Sequence, residues 1–252
     1  MAIISHKNKF IFLKTRKTAS GSVEVALAGV CGEQDQLCPT GDGKELGITE
    51  QNNQKPLKQV DVKDLGNFFA AMWKNTIKAG NPEVRHSWNK TRRIIKSSHF
   101  NAENMQKVCG KEVWNTYYKF CFERNPFDRL VSFYHWRTKK FKNPPSFRDF
   151  ALAVIGKNKK QASRLKATNF SNRPFYEIDG EIVVDRIFHF ENLHEDLSTF
   201  FMSKKIPWNG ELLHTKAGFR PKKDYREYYD PELRRLCEKA FKFEMEHFKY
   251  EF

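Results

Sequence analysis

Apolar residues in this chain fall into short runs bounded by charge. Lys9-Phe-Ile-Phe-Leu-Lys-Thr15 is one such run and predicts a buried strand. A loop of small residues follows, Arg16-Lys-Thr-Ala-Ser-Gly-Ser22. Val23-Glu-Val-Ala-Leu-Ala-Gly-Val30 then predicts a helix stopped near Gly29–Gly32. Residues 31–63 are rich in Gly, Asp, Gln, Asn and Pro and predict a long loop or excursion. Asp64 can cap a helix to about Ala79, with Leu65, Phe68, Phe69, Met72, Trp73 and Ile77 inward and Gly80 as its stop. Asn101 can cap a shorter helix through about Val108.

The second half repeats the theme. Tyr117-Tyr-Lys-Phe-Cys-Phe-Glu123 predicts a buried strand, and Asn125 with Pro126 starts a helix directly after it. Ser146 with Asp149 opens a helix ending at Gly156. Ile182 to Phe190 predicts a strand, Leu193 to Lys204 a helix. Asp230-Pro231 starts a C-terminal helix with Leu233, Leu236, Cys237, Ala240, Phe241, Met245 and Phe248 inward. Strands alternating with helices predict an α/β fold: one domain over residues 1–252, its central sheet mainly parallel and flanked by helices.

Composition narrows the class. The 252 residues are 39% apolar and include 23 Phe, enough for a substantial core, which excludes a wholly disordered chain. No apolar stretch reaches the roughly 18–20 residues that span a bilayer, and the first residues show no signal-peptide pattern, so a cytoplasmic protein without membrane attachment is expected. Five scattered Cys fit reduced structural thiols, and no metal-ligand spacing occurs. With 45 Lys+Arg against 30 Asp+Glu, the net charge of +15 favours an anionic partner, the bland alternative being a solvated basic surface.

Residues 17–22 have the composition of a phosphate-holding loop. Small side chains let backbone N–H groups approach an anion, the following helix N-terminus adds partial positive charge, and Lys17 adds a full one. The Gly-Lys-Ser/Thr of a Walker A loop is absent, which counts against an ATPase, a GTPase or a P-loop kinase. Lys17-Thr-Ala-Ser-Gly-Ser22 resembles the 5′-phosphosulfate loop of the sulfotransferases, in the P-K-T-A-[SG]-T-S form of the heparan sulfate uronosyl 2-O-sulfotransferases, and more closely the soluble sulfotransferase-like proteins of bacteria and their viruses. Arg16 stands where Pro is usual and Gly21 where Thr is usual. Arg124-Asn-Pro-Phe-Asp-Arg-Leu-Val-Ser-Phe-Tyr134 resembles the same family's 3′-phosphate element. Glu191-Asn-Leu, the late basic loop Leu212–Pro221 and the closing Phe248–Phe252 extend the resemblance from about residue 9 to residue 252.

The resemblance implies a P-loop-NTPase-like sulfotransferase fold. It also implies 3′-phosphoadenosine 5′-phosphosulfate (PAPS) as donor, 3′,5′-ADP as product, and no metal. Lys17 would hold the bridging oxygen, and Thr18, Ala19, Ser20, Gly21 and Ser22 the 5′-phosphosulfate. Arg124, Ser132, Lys216 and Arg220 would hold the 3′-phosphate. An alternative reading pairs Arg124 with Asp128 and leaves Ser132 an ordinary helix position. His99 is the candidate general base, since a neutral imidazole suits proton abstraction from a hydroxyl. A His that caps the next helix or packs between strand and loop is the alternative, and His86 and Glu103 are rivals for the role. Three basic runs could read an anionic glycan acceptor: Arg85 to Lys96, Arg137 to Lys142 and Lys157 to Lys166. Trp88 and Trp136 could stack on its rings. The competing class is a non-catalytic basic protein that binds polyanions or nucleotides, although no nucleic-acid motif is present.

Overall fold

Strict alternation along three aligned strands divides the core into two faces. The computed structural model describes residues 2–38, 47–53, 66, 68, 69, 99–165, 167, 170–213 and 220–252. Its sheet contains β1 (Ile3–Ser5), β2 (Phe10–Phe12), β3 (Gln36–Leu37), β4 (Tyr118–Glu123) and β7 (Arg186–His189), in the spatial order β3-β1-β2-β4-β7. A separate hairpin pairs β5 (Glu177–Ile178) with β6 (Glu181–Ile182). Side chains of successive strand residues point to opposite faces. Phe10, Phe12, Phe120, Phe122 and Phe188 therefore gather on one face and Ile11, Leu13, Cys121 and Ile187 on the other.

The phenylalanine face is covered by α1 (Ser20–Ala28) and α6 (Leu193–Ser203), which contribute Val23, Leu27, Leu197, Phe200 and Phe201. Phe120 sits at its centre, with ring centroids 4.4 Å from Phe200 and 5.4 Å from Phe12. The other face is covered by α2 (Ala102–Thr116) and by Phe248, at the end of α8 (Lys242–Phe248). A third, helical cluster joins α3 (Pro126–Thr138), α4 (Phe147–Val154), α5 (Lys159–Arg164) and α7 (Pro231–Ala240) through Phe127, Leu130, Phe150, Ala162, Leu233 and Phe241. Burying a Phe or Leu side chain contributes about 1.5–3 kcal/mol, so these clusters supply the bulk of the driving force.

The sheet is mixed rather than mainly parallel. The pairs β2–β4 and β4–β7 are parallel, whereas β1–β2 and β1–β3 are antiparallel. Only four residues, 6–9, link β1 to β2, and a link that short permits only the antiparallel arrangement. β1 is three residues long, too short for periodicity to reveal. Other elements follow the expected pattern with shifted ends. α1 begins three residues before Val23, inside the small-residue loop. α2 passes Val108 and runs to Thr116, but Gly110 (φ 79°, ψ 163°) breaks the helical path just past the expected end. Asn125 caps α3 from Pro126, and Ser146 caps α4. The C-terminal helix divides at Phe241; Ala240 lies outward and Glu244 inward. Of the helix expected over 64–79, residues 66, 68 and 69 are helical and the rest lie outside the described residues.

Candidate functional site

The parallel pair β2–β4 ends where the small-residue loop begins. Beyond β2, Leu13 N–H still donates to the Phe120 carbonyl at 3.0 Å. Thr15 Oγ1 donates to the Phe122 carbonyl at 2.5 Å and lies 2.9 Å from Thr18 Oγ1. Ser20 Oγ turns back onto the Thr15 carbonyl at 2.9 Å. The loop is thus folded on its own hydroxyls and pinned to β4. Lys17 (φ 62°) and Ala19 (φ 50°) both occupy the left-handed region, which disfavours side chains with a Cβ. Strain of this kind, of order 1–3 kcal/mol per residue, persists where surrounding contacts impose it. The two left-handed residues flank Thr18, and backbone of alternating handedness is the conformation from which anion nests are built. α1 follows with Ala19 at its N-cap, no side-chain cap and no acid in its first turn, so its N-terminal partial charge is not offset locally. Lys14 and Glu24 lock α1 to the strand by a buried ion pair at 2.5 Å.

Arg124 stands at the end of β4, beside the loop. Its Nη1 donates to the Lys17 carbonyl at 3.2 Å, its Nε and Nη2 donate to Asp128 at 2.8 and 2.5 Å, and its guanidinium lies 3.9 Å from the centre of the Phe190 ring. These three bonds leave two of the five guanidinium N–H groups for a ligand. Arg220 donates to the other oxygen of Asp128. Burial lowers the Arg124 pKa, and Asp128 opposes that effect. Asp128 does pair with Arg124, and in doing so it aligns two guanidinium groups on one carboxylate. Asp128, Ser132 and Trp136 repeat every four residues and share one face of α3. From Asp128 to Trp136 that face runs about 12 Å at about 1.5 Å per residue. The Lys17 ammonium lies 5.5 Å from the centre of the Trp136 ring. One helix face therefore connects the Arg124–Arg220 pair to the Lys17 side chain.

His99 packs between strand end and loop. Its Nδ1 lies 2.9 Å from the Lys14 carbonyl, and its ring centre 5.9 Å from that of Phe175. A carbonyl only accepts, so Nδ1 carries the proton and the lone pair belongs to Nε2. Burial pushes the imidazole down to about 3; the nearby cations Lys14 and Arg16 act in the same direction, against the hydrogen bond to the carbonyl. The rival Glu103 is half-exposed on α2 and paired with Lys107.

The model of the family described as "Sulfotransferase family" matches residues 1–251. This chain belongs to the sulfotransferase family. A protein of Archaeoglobus fulgidus, named only "Uncharacterized protein", is 35% identical over 104 residues, which cover 41% of this chain and 78% of that relative. No solved structure matches the chain.

Residues that sequence patterns did not single out hold this sulfotransferase's loop in place. Asn172 is wholly buried; its Oδ1 accepts from Arg16 N–H at 2.9 Å, and its Nδ2 donates to the Arg16 carbonyl at 3.2 Å and to Glu123 Oε1 at 3.0 Å. Glu123, the last residue of β4, also accepts from the Arg124 N–H and meets the buried Arg129 at 3.1 Å; Arg129 lies 3.7 Å from Glu244, without aligned hydrogen bonds to either acid. Burial raises the Glu123 pKa, against the attraction of Arg129. Asn125 N–H donates to Glu191 at 2.8 Å, tying the Arg124 turn to the Glu191-Asn-Leu turn. The i, i+4 repeat of Asp128, Ser132 and Trp136 was the one available signal; Asn172 had none, since it acts from 156 residues away on Arg16.

The structure thus brings Lys17, Thr18, Ala19, Ser20, Gly21, Ser22, Arg124, Ser132, Arg220 and His99 to one end of the sheet. His86, Trp88, Lys216 and the run Arg85 to Lys96 lie outside the described residues. Lys139, Lys140, Lys142, Lys157, Lys159 and Lys160 are exposed. Among the described residues no group of His, Cys, Asp or Glu is arranged to hold a metal ion, and no helix is long and apolar enough to cross a membrane.

Two stability tests follow from these contacts. Above pH 6.5 His99 is neutral folded and unfolded; between 6.5 and about 3 only the unfolded chain takes up its proton. Stability therefore falls as pH drops through that window, by at most about 1.4 kcal/mol per pH unit from this group. In urea melts, His99→Gln is expected to lose less stability than wild type between pH 6.5 and 5; parallel slopes would refute the buried neutral imidazole. Asn172→Ala strips partners from Arg16 and Glu123 and should lower unfolding free energy by at least about 2 kcal/mol with an unchanged urea m-value.

Proposed function

We propose that this chain transfers a sulfuryl group from PAPS to a hydroxyl or amine of an acceptor, with carbohydrate as the acceptor class, in one domain over residues 1–252. The observation that carries the reading is the hydrogen bond from Arg124 to the Lys17 carbonyl, because it makes two separate cation-rich elements neighbours. A donor with a phosphosulfate at one end and a phosphomonoester at the other needs such a pair.

The residues present suit that donor. The left-handed turn at Lys17 and Ala19 and the uncapped α1 N-terminus favour the 5′-phosphosulfate through the backbone N–H groups of Thr18 to Gly21; the Ser22 N–H already donates to the Ala19 carbonyl at 2.9 Å, so Ser22 would offer its hydroxyl. This is P-loop-like anion binding without the Walker lysine. Arg124, with two remaining N–H groups, and Arg220, fixed on the same carboxylate, suit the doubly charged 3′-phosphate. Ser132 adds a hydroxyl from the face of α3 between them and Trp136. Lys216 keeps the same assignment, from the resemblance alone.

When bound, the donor supplies an electrophilic sulfur and a phosphate leaving group. Lys17 stabilises charge developing on the bridging oxygen, and the fixed N–H groups do so without reorganising. His99 presents Nε2 as the base, its tautomer set by the Lys14 carbonyl. Its low pKa reflects burial first and the nearby cations Lys14 and Arg16 second. Burial is the larger cause, so an anion held by the loop would offset the cations' share of that lowering and leave the rest.

Calorimetry tests the donor site. 3′,5′-ADP should bind tightly, ADP lacking the 3′-phosphate much more weakly, and Arg124→Ala should lose the difference. Equal affinity for both nucleotides would remove Arg124, Ser132 and Arg220 from the 3′-phosphate. A non-catalytic polyanion binder, which the net charge of +15 also suits, would take DNA and ATP as readily as 3′,5′-ADP. For the base, His99→Ala should keep its affinity for 3′,5′-ADP while turnover with radiolabelled donor falls at least about 10²-fold. Undiminished turnover would place the base elsewhere.

A further inference from the structure

Arg124 and Arg220 meet on Asp128 from segments far apart in the chain. The Arg220 and Asp128 side chains remain partly open to water, at 23% and 17%, and ion pairs that water reaches contribute little. One carboxylate is therefore a weak fastening for the segment that carries Arg220. That segment is irregular through Asp224 and becomes regular at the 3₁₀ turn Tyr225–Tyr228, which Asp224 and Glu227 close as a capping box. Arg220 Nη2 donates to the Lys223 carbonyl at 3.2 Å, so its guanidinium is tied to the residues just before the turn. Whatever fixes the turn against α3 also fixes Arg220 against Arg124.

Residues 249–252 supply that fastening. Lys249 (φ 56°) leaves α8 in the left-handed region and redirects the chain toward the Arg124 turn. Asn125, only 8% exposed, joins α3, residue 251 and the 3₁₀ turn. Its Oδ1 accepts from Phe127 N–H at 3.0 Å, and its Nδ2 donates to the Glu251 carbonyl at 2.7 Å and to the Tyr225 hydroxyl oxygen at 3.4 Å. The Phe252 ring centre lies 4.8 Å from that of Phe127, 6.0 Å from Tyr225 and 5.6 Å from Tyr229, edge-on to each. The Arg234 guanidinium lies 4.2 Å from the Phe252 ring centre, and the Tyr229 hydroxyl donates to the Phe127 carbonyl at 2.9 Å. Glu191, which accepts the Asn125 N–H, also meets the Tyr250 hydroxyl; burial and this carboxylate both raise the Tyr250 pKa.

We propose that Phe252 and Asn125 are positioning residues for the donor's 3′-phosphate. Phe252 wedges between the first turn of α3 and the turn that follows Arg220, and Asn125 ties both to the Glu251 carbonyl. The two guanidinium groups grip one phosphate together only while this lock is closed. Its contacts run to the Arg124 turn, the Glu191 turn and the 3₁₀ turn, whereas the Lys17 loop is fastened through Thr15, Ser20 and Asn172. Opening the lock lets Arg220 move relative to Arg124, so binding a phosphomonoester must first order two cations that are otherwise already placed. The loss falls on the 3′ end of the nucleotide and spares the 5′ end. The role at the 3′-phosphate rests on the donor reading above; the lock itself is measurable without nucleotide.

The test uses the full chain and two variants. Phe252→Ala removes the wedge, and Asn125→Ser keeps a capping oxygen on α3 without the carboxamide. By calorimetry each should weaken 3′,5′-ADP by about tenfold and leave ADP within about twofold of wild type. In turnover the donor KM should rise by a similar factor, with kcat within about twofold. Hydrogen exchange without nucleotide reads the lock directly: in Phe252→Ala the amides of residues 127–130 and 225–229 should exchange faster together, and those of residues 10–13 as in wild type. The proposal is overturned by unchanged exchange in those two segments, by wild-type affinity in either variant, or by equal weakening of both nucleotides, which marks a role in general stability alone. If Phe252→Ala does not fold, Asn125→Ser decides by the same readings. Wild type that binds 3′,5′-ADP no better than ADP strikes the donor reading instead; the lock's role at the 3′-phosphate then falls with it, and the exchange result alone decides whether the lock exists.

Discussion

Arg124 donates one hydrogen bond to the Lys17 carbonyl and two to Asp128, and much of the site's geometry hangs on this guanidinium. It rises from the end of β4, while Lys17 follows the end of β2, and the two strands are parallel neighbours. Parallel pairing brings both strand ends to the same edge of the sheet, so two loops over a hundred residues apart in sequence must meet there. The Arg124 side chain and the Lys17 backbone are therefore direct neighbours.

The loop's strain is held by contacts on several sides. Thr15 fastens it to the Phe122 carbonyl, Asn172 grips both backbone groups of Arg16, and Glu123 secures Asn172 from below. Left-handed Lys17 and Ala19 are costly conformations, and a rigid frame is what lets them persist. The same frame explains His99. Its ring is wedged between the Lys14 carbonyl and Phe175, a place that suits a neutral imidazole and penalises a charged one.

Much of this was legible in the chain. The short apolar runs bounded by charge foretold the strands Phe10–Phe12 and Tyr118–Glu123, and the caps Asn125, Ser146 and Asp230 marked their helices. Lys17, Arg124 and Arg220 were singled out by the resemblance to the sulfotransferase motifs, and the structure gathers them. β1 was not legible, because three residues carry no period, and its antiparallel pairing turned an expected parallel sheet into a mixed one. The alternative reading of Arg124, a bridge to Asp128, proved part of the same cluster: Asp128 holds Arg220 as well.

Sequence alone determined which segments bury and where charge collects, because side-chain hydrophobicity, helix caps and permanently charged groups act locally. It also determined that a cationic loop would follow a buried strand. Tertiary structure alone decided that Asn172 clamps Arg16, that Asp128 joins two arginines, and that Phe252 packs between Phe127 and Tyr225. Those are contacts between residues distant along the chain or on separate elements, and their partners are chosen by strand order and helix packing. No local spacing encodes that choice.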